Sequence, residues 1–258
     1  MSHATVYAIA NSKGGAGKTT TATCLVESWH RAKKKALLID LDQQCNATTQ
    51  FGAQVENHTT AYDLLTDVSC NPLDAIQHTD HGDIIAGDLY LANLESEMAS
   101  ATCRETRLAD ALDKIKSSYD RIVIDCSPFL GIATTNALVA ADEVIIPIDC
   151  EKYAVDGCMN TVNLATQIMG NKRLNPDLRI GGLLLTKYHA DWVLDRSYAS
   201  QLSLLAEAHG TKAYSTLIRA CCKTSKAQQE GVALFEYAPK STTAQDYQSL
   251  ARELEGGE

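Results

Sequence analysis

No stretch of this 258-residue chain reaches the roughly eighteen consecutive apolar residues of a membrane-spanning helix, and its start lacks a charged, apolar, then small-residue leader pattern. Both absences lead to the expectation of a soluble, cytoplasmic protein. The nine cysteines are odd in number and include no Cys-x-x-Cys pair. This argues against a disulfide scaffold and against a zinc site. Most of the cysteines are expected to serve as small buried hydrophobes, with adjacent Cys221 and Cys222 as free thiols. Internal repeats, low-complexity tracts and linkers are also missing.

What is present is enough apolar material, 45% of residues, for one large core and a single domain spanning residues 1–258. Apolar runs fall near residues 5–10, 36–41, 83–86, 121–125, 143–148, 180–186 and 213–218, with helical periodicity between most of them. Such alternation predicts an α/β fold: a doubly wound, mainly parallel sheet with helices on both faces. Residues 50–80, rich in polar and turn-forming types, are expected to hold short helices over a sheet edge. A helical stretch near 102–117 puts Leu108, Ala111, Leu112 and Ile115 on one core-facing side.

Directly after the first apolar run stands Lys13-Gly14-Gly15-Ala16-Gly17-Lys18-Thr19-Thr20. An ordinary phosphate-binding loop, Gly-x-x-x-x-Gly-Lys-Ser/Thr, would begin at Ser12, which is not glycine. Read from Gly14, the glycines allow close backbone approach, Lys18 reaches β and γ phosphates, and the Thr19 hydroxyl ligates Mg²⁺. The following helix points its positive end at the phosphates. Ala22, Leu25, Val26 and Trp29 recur at helical spacing and predict packing on one face.

Two strands end in carboxylates. Ala36 to Leu41 leads into Asp40-Leu41-Asp42-Gln43-Gln44-Cys45-Asn46-Ala47-Thr48, and Arg121-Ile122-Val123-Ile124-Asp125-Cys126-Ser127-Pro128 has the form of a Walker B strand. Carboxylates closing apolar strands beside a phosphate loop would repel each other and the nucleotide unless a cation joined them.

These segments resemble the ParA and MinD family of deviant Walker ATPases, whose pattern Lys-Gly-Gly-x-Gly-Lys-Thr-Thr residues 13–20 match at every fixed position. The likeness continues through 140–148, 151–157, Leu183-Leu184-Leu185-Thr186-Lys187 and Phe235-Glu236-Tyr237-Ala238-Pro239-Lys240-Ser241, and so spans nearly the whole chain. It departs after Asp42, where Gln43 replaces the family's proline and Cys45 its glycine; a more flexible turn is expected there. The resemblance implies ATP and Mg²⁺ as ligands and slow hydrolysis. In it, Asp42 orients the attacking water, Asp40 and Asp125 hold Mg²⁺-bound waters, and Lys13 reaches across a homodimer to the partner's nucleotide, much as an arginine finger does.

The formal net charge of −9 opposes a nucleic-acid partner at long range. The charge is unevenly spread, however. Residues 1–150 hold 11 Lys and Arg against 20 Asp and Glu, whereas residues 172–226 hold nine against four. In ParA relatives, basic residues of this C-terminal third bind DNA without sequence preference once ATP has built the dimer. The candidates here are Arg219, Lys223 and Lys226, then Arg196. An ordinary solvated helix face is the competing reading for each. Lys187 could instead border the adenine. The resemblance also implies a ParB-type centromere-binding partner, which often acts through a short basic segment suited to the acidic N-terminal half.

Alternatives within the superfamily are a MinD-like membrane-associated ATPase, a metabolic ATP-dependent ligase, and a nucleotide-gated protein that has lost turnover. The acidic, weakly apolar end at residues 248–258 argues against membrane attachment. Cys103 and Cys126 do not stand in the ligand motifs of an iron-sulfur relative. No motif suggests a second small-substrate pocket.

Overall fold

The computed structural model describes residues 4–150 and 154–256; residues 151–153 of the family-like 151–157 segment lie outside that description. Seven strands, β1 (Thr5–Ile9), β2 (Ala36–Leu41), β3 (Ile76–Thr79), β4 (Gly82–Ile85), β5 (Arg121–Cys126), β6 (Glu143–Asp149) and β7 (Arg179–Thr186), form one sheet in the order β3-β4-β2-β5-β1-β6-β7. All neighbours pair in parallel except β3, which forms an antiparallel hairpin with β4. Strands β2, β5 and β6 are buried almost end to end. This is why they read as unbroken apolar runs rather than alternating ones.

The helices are α1 (Lys18–Arg31), α2 (Asn46–Gln50), α3 (Ala61–Thr66), α4 (Leu94–Glu97), α5 (Arg107–Leu112), α6 (Ile132–Ala140), α7 (Ala154–Met169), α8 (Val193–Ala208), α9 (Cys222–Glu230), α10 (Leu234–Tyr237) and α11 (Thr242–Glu253). Successive strand residues point to opposite faces, and two cores result. Val6, Ala8, Leu37, Ile39, Ile122 and Ile124 meet Leu65, Leu108, Leu138 and Val162 on one side. Tyr7, Ile9, Leu38 and Val123 meet Leu25, Trp29, Phe235, Tyr247 and Leu250 on the other. The doubly wound, mainly parallel fold is therefore present, with helices on both faces.

Four local readings differ from the sequence expectation. Helix α1 is buried nearly all round, including Thr21, Thr23, Glu27 and Ser28, because α11 covers its outer side and Tyr247 Oη pairs with Thr21 Oγ1 at 3.1 Å. Residues 50–80 do hold α3 and a short 3-10 turn, Pro72–Ala75, but also strand β3, whose Ile-Gln-His-Thr sequence is too polar and half-exposed to read as a strand. Only Arg107–Leu112 of 102–117 is α-helical, although Leu108, Ala111, Leu112 and Ile115 are all buried as expected. Residues 213–218 run beside β7 through isolated bridges without becoming a strand. There the Ser215 and Thr216 amides donate to Glu253 of α11 at 2.8 and 3.0 Å, which interrupts the ladder.

Candidate active site

The carboxyl end of β1 feeds the glycine loop, and Gly15 and Gly17 adopt positive φ of 75° and 92°, a region that L side chains avoid. Gly17 precedes α1 without any side-chain cap, so the first amides of that helix remain available to a ligand. Thr186, ending β7, braces the loop by donating from Oγ1 to the Ala16 carbonyl at 2.9 Å. Lys18 is buried, and its Nζ donates to the Lys13 carbonyl at 3.0 Å. Burial lowers its pKa, while nearby Asp125 and Asp42 act in the opposite sense.

Sheet order brings the carboxylates together. Strand β5 lies between β2 and β1, with Asp125 in register with Asp40 on one side and Ile9 on the other. Asp40 is fully buried and accepts from the Asp42 amide at 3.1 Å, the Thr48 amide at 2.9 Å and Thr48 Oγ1 at 2.7 Å. Both its oxygens are thus engaged within the fold. Asp42 lines the cavity and accepts from the Gln44 amide at 3.0 Å.

Asp125 is different. It is fully buried, and neither carboxylate oxygen completes a hydrogen bond among the described residues. Burial and then the Asp40 charge hold its pKa well above the ordinary carboxylate range, partly countered by the Thr19 hydroxyl and Lys18. Burial also raises the pKa of Asp40, against the hydrogen bonds from Thr48. An unpartnered buried carboxylate beside a threonine hydroxyl is a hard, all-oxygen donor set of the kind that suits Mg²⁺. No group of three or more His, Cys, Asp or Glu among the described residues is arranged to hold a metal. A site that uses one or two carboxylates plus water and substrate phosphates does not need one.

Lys13, at the front of the loop, is held within its own chain: Nζ donates to Asp149 Oδ1 at 2.7 Å. Its amide donates to Asn11 Oδ1 at 2.9 Å, and Asn11 Nδ2 in turn donates to the Pro147 carbonyl at 2.6 Å. Gly157 of α7 packs so closely here that a Cβ would sit 2.8 Å from Asn11 Oδ1 and 2.9 Å from Lys13 Cβ. Lys187, in a left-handed conformation at φ 56°, places Nζ 3.9 Å from Asp149 Oδ2. Asn11 and Asp149 escaped the sequence reading. The signal for Asp149 was available, since it ends an apolar strand on the loop side of a parallel sheet.

The loop and Asp42 open on a cavity of about 750 Å³ lined by Gly14, Lys18, Thr19 and Asp42 on one wall and by Lys187, Ile218, Arg219, Cys221, Gln228 and Tyr247 on the other. Arg219, expected on a DNA-facing surface, borders this cavity and is clamped to Asp246, with Nε at 2.9 and 3.1 Å and Nη2 at 2.5 Å from its oxygens. Lys223 and Lys226 are exposed on α9 and Arg196 is exposed on α8. At the departure from the family motif, Cys45 takes φ 52°, the conformation for which glycine is the usual residue. The turn is nevertheless closed by the Cys45 amide on the Asp42 carbonyl at 2.9 Å.

A glycine loop between a parallel strand and a helix, with lysine and threonine opening that helix and carboxylates ending the next two strands, defines a P-loop nucleotide-binding protein. Known proteins narrow the class. The AAA_31 family model, described as an AAA domain, matches residues 4–180. The sporulation initiation inhibitor protein Soj of Bacillus subtilis is 37% identical over 252 residues, covering 96% of this chain and 97% of Soj. The chromosome partitioning protein ParA of Caulobacter vibrioides is 37% identical over 257 residues, covering 96% and 93%. Among solved structures, cobyrinic acid a,c-diamide synthase from Mycobacterium smegmatis with bound ATP analog and magnesium has a TM-score of 0.83 at 27% identity, covering 99% and 97%. The chain belongs to the ParA (Soj) family of P-loop partitioning ATPases.

Proposed function

We propose that this chain is a DNA-partition ATPase in which two copies close on ATP and the dimer holds DNA of any sequence. A ParB-type protein bound to a centromere-like site then triggers hydrolysis and release. The observation that carries the reading is that Lys18, Thr19 and Asp42 line one cavity beside the unpartnered carboxylate of Asp125. The loop from Lys13 to Thr20 cradles the phosphates with its amides, and Lys18 exchanges the Lys13 carbonyl for β and γ phosphate oxygens. Thr19 and Asp125 would hold Mg²⁺, which when bound would supply charge neutralisation at the phosphates. Asp40, engaged by Thr48, keeps the end of β2 in place so that Asp42 meets the cavity. With one oxygen steadied by the Gln44 amide, Asp42 orients the attacking water. Lys13 leaves Asp149 to complete the partner's site in the dimer, and intrinsic turnover is slow until that happens.

For DNA, exposed Lys223, Lys226 and Arg196 contact phosphates, and pairing two chains doubles their number. Arg219 serves the cavity wall through Asp246. A MinD-like membrane role is disfavoured because Ala244, Tyr247 and Leu250, the apolar face of α11, are buried against the core. No helix among the described residues is long and apolar enough to cross a membrane. The likeness to the Mycobacterium synthase keeps a ligase as the second reading, in which turnover depends on a small metabolite rather than on DNA.

Asp42→Ala is expected to retain ATP binding and lose hydrolysis by about 100-fold or more; undiminished turnover removes the water-orienting assignment. Sedimentation with random duplex should depend on ATP and weaken steeply with salt. Salt-insensitive or nucleotide-independent binding would count against the DNA reading, and metabolite-driven turnover would favour the ligase.

A further inference from the structure

We propose that Gln228 is a positioning residue of the nucleotide site: by fixing the Thr20 hydroxyl it ties helix α9 to the bound phosphates, so that nucleotide and DNA strengthen one another's binding. This inference rests on the nucleotide and DNA readings of the chain.

Helix α9 presents two different polar sides. Thr224 and Gln228 stand four residues apart and share one side, and both line the cavity together with Ser225. Lys223 and Lys226, three apart, share another side; they are exposed and do not line the cavity. Between the two sides, Ala227 is buried in the core that also holds Ala22 and Leu25 of α1. The helix is thus seated against the loop helix with its lysines turned outward.

One bond joins the inner side to the phosphate loop: Gln228 Nε2 donates to Thr20 Oγ1 at 2.7 Å. Thr20 is buried, follows Thr19 in the first turn of α1 and lines the cavity. A threonine hydroxyl has one proton to donate and two lone pairs with which to accept. Because the amide nitrogen only donates, it occupies a lone pair and leaves the Thr20 proton for an acceptor on the cavity side. A phosphate oxygen is such an acceptor, and its charge makes the bond a strong one. Donating to phosphate makes the Thr20 oxygen a better acceptor in turn, which tightens the bond from Gln228. On the same side of α9, Thr224 Oγ1 is buried and completes no hydrogen bond among the described residues. It is a second polar group that the fold itself leaves unsatisfied at the cavity wall.

The outer lysines ride on the helix that this bond holds. Nucleotide therefore steadies Lys223 and Lys226 for contact with DNA phosphates, and DNA held by them keeps Gln228 on Thr20. Linkage requires the two effects to be equal. Apart from this bond the Gln228 side chain is exposed, so its truncation opens no space in the core.

The test uses the whole chain with Mg²⁺. It measures affinity for a labelled non-hydrolysable ATP analogue, and for a random-sequence duplex with and without that analogue. Gln228→Ala should bind the analogue about 3- to 10-fold more weakly, and the factor by which the analogue enhances DNA binding should drop at least about 5-fold. Gln228→Glu, whose carboxylate only accepts and so turns the Thr20 proton away from the cavity, should be at least as impaired in both. Gln229→Ala, a change at the exposed neighbour, should stay within about 2-fold of the parent. In a Thr20→Val background, Gln228→Ala should weaken analogue binding by less than about 2-fold, because the shared hydroxyl is gone. An unchanged DNA enhancement in Gln228→Ala, or a full effect of that change in the Thr20→Val background, refutes the role of Gln228 while the nucleotide and DNA readings stand. If the parent chain binds no analogue, or binds DNA equally with and without it, those readings fail and the coupling falls with them.

Discussion

Lys13→Ala and Asp149→Asn remove opposite ends of one ion pair, yet their consequences are expected to differ. The two side chains are 20% and 2% exposed at a separation of 2.7 Å. Without Lys13, the carboxylate stays sealed from water with Lys187 Nζ at 3.9 Å, on a side chain 53% exposed. Stranding a buried charge costs about 3–5 kcal/mol, and a half-exposed cation restores about 1 kcal/mol of that. Lys13→Ala should therefore destabilise by roughly 2–4 kcal/mol. Asp149→Asn leaves an amide in the buried position and a lysine with access to water. Its loss is one charge-assisted hydrogen bond, about 1.5–3 kcal/mol at most and nearer about 1–2 after solvent screening, together with the longer contact to the half-exposed Lys187, which adds a few tenths to about 1 kcal/mol. Urea denaturation of both variants should show Lys13→Ala the weaker by about 1–2 kcal/mol. Equal costs, or the reverse order, would refute the reasoning from burial. The same pair bears on the proposed shared site, in which Lys13 would have to leave Asp149 to serve a second chain. Relieving about 1–2 kcal/mol by Asp149→Asn should tighten ATP-dependent dimerisation about 5- to 30-fold in sedimentation equilibrium. An unchanged dimer affinity would mean that Lys13 acts within its own chain.

Three other perturbations probe the surroundings. Gly157→Ala forces a methyl to within 3 Å of Asn11 and Lys13 and should weaken ATP binding about 10-fold or more by moving the loop, as read by calorimetry; unaltered affinity would show that α7 yields freely. Cys45→Gly relieves a left-handed cysteine and should leave stability unchanged or raise it by up to about 1 kcal/mol, whereas a clear loss in urea midpoint would show that the thiol's packing matters more than its backbone. His81 has its pKa raised first by its hydrogen bond to buried Glu27, with Glu236 adding to the effect. A raised histidine contributes stability fully below its unfolded value near 6.5 and loses it as pH climbs through the folded value. Stability should fall over that window by at most about 1.4 kcal/mol per pH unit, and His81→Gln should flatten the slope; an unchanged pH profile in the variant would exclude His81 as its source.

The parts of the site that were legible from sequence are those carried by short contiguous segments. Strand β1, the glycine loop and the opening of α1 occupy neighbouring positions, so the spacing of Gly15, Gly17, Lys18 and Thr19 already implied their geometry. The buried strands β2, β5 and β6 were legible because burial on both faces demands continuous apolar runs. Strand β3 was not, since an exposed edge tolerates Gln77 and His78. Residues 213–218 misled for the opposite reason: they are apolar enough for a strand, but Glu253 takes two of their amides.

By itself the sequence determined a mainly parallel α/β fold and a phosphate loop with an additional lysine, because local spacing and apolar periodicity act over a few residues. Tertiary structure alone decided how distant residues meet. Insertion of β5 between β1 and β2 sets Asp125 beside Asp40, 85 positions away, and the return of β6 delivers Asp149 to Lys13. It also bound Asp40 to Thr48 while leaving Asp125, beside the Thr19 hydroxyl, without a completed hydrogen bond among the described residues, and drew Arg219 to Asp246. The physical reason is that strand order in a parallel sheet is set by crossover helices packing on its faces, and buried charges take the partners that this packing supplies.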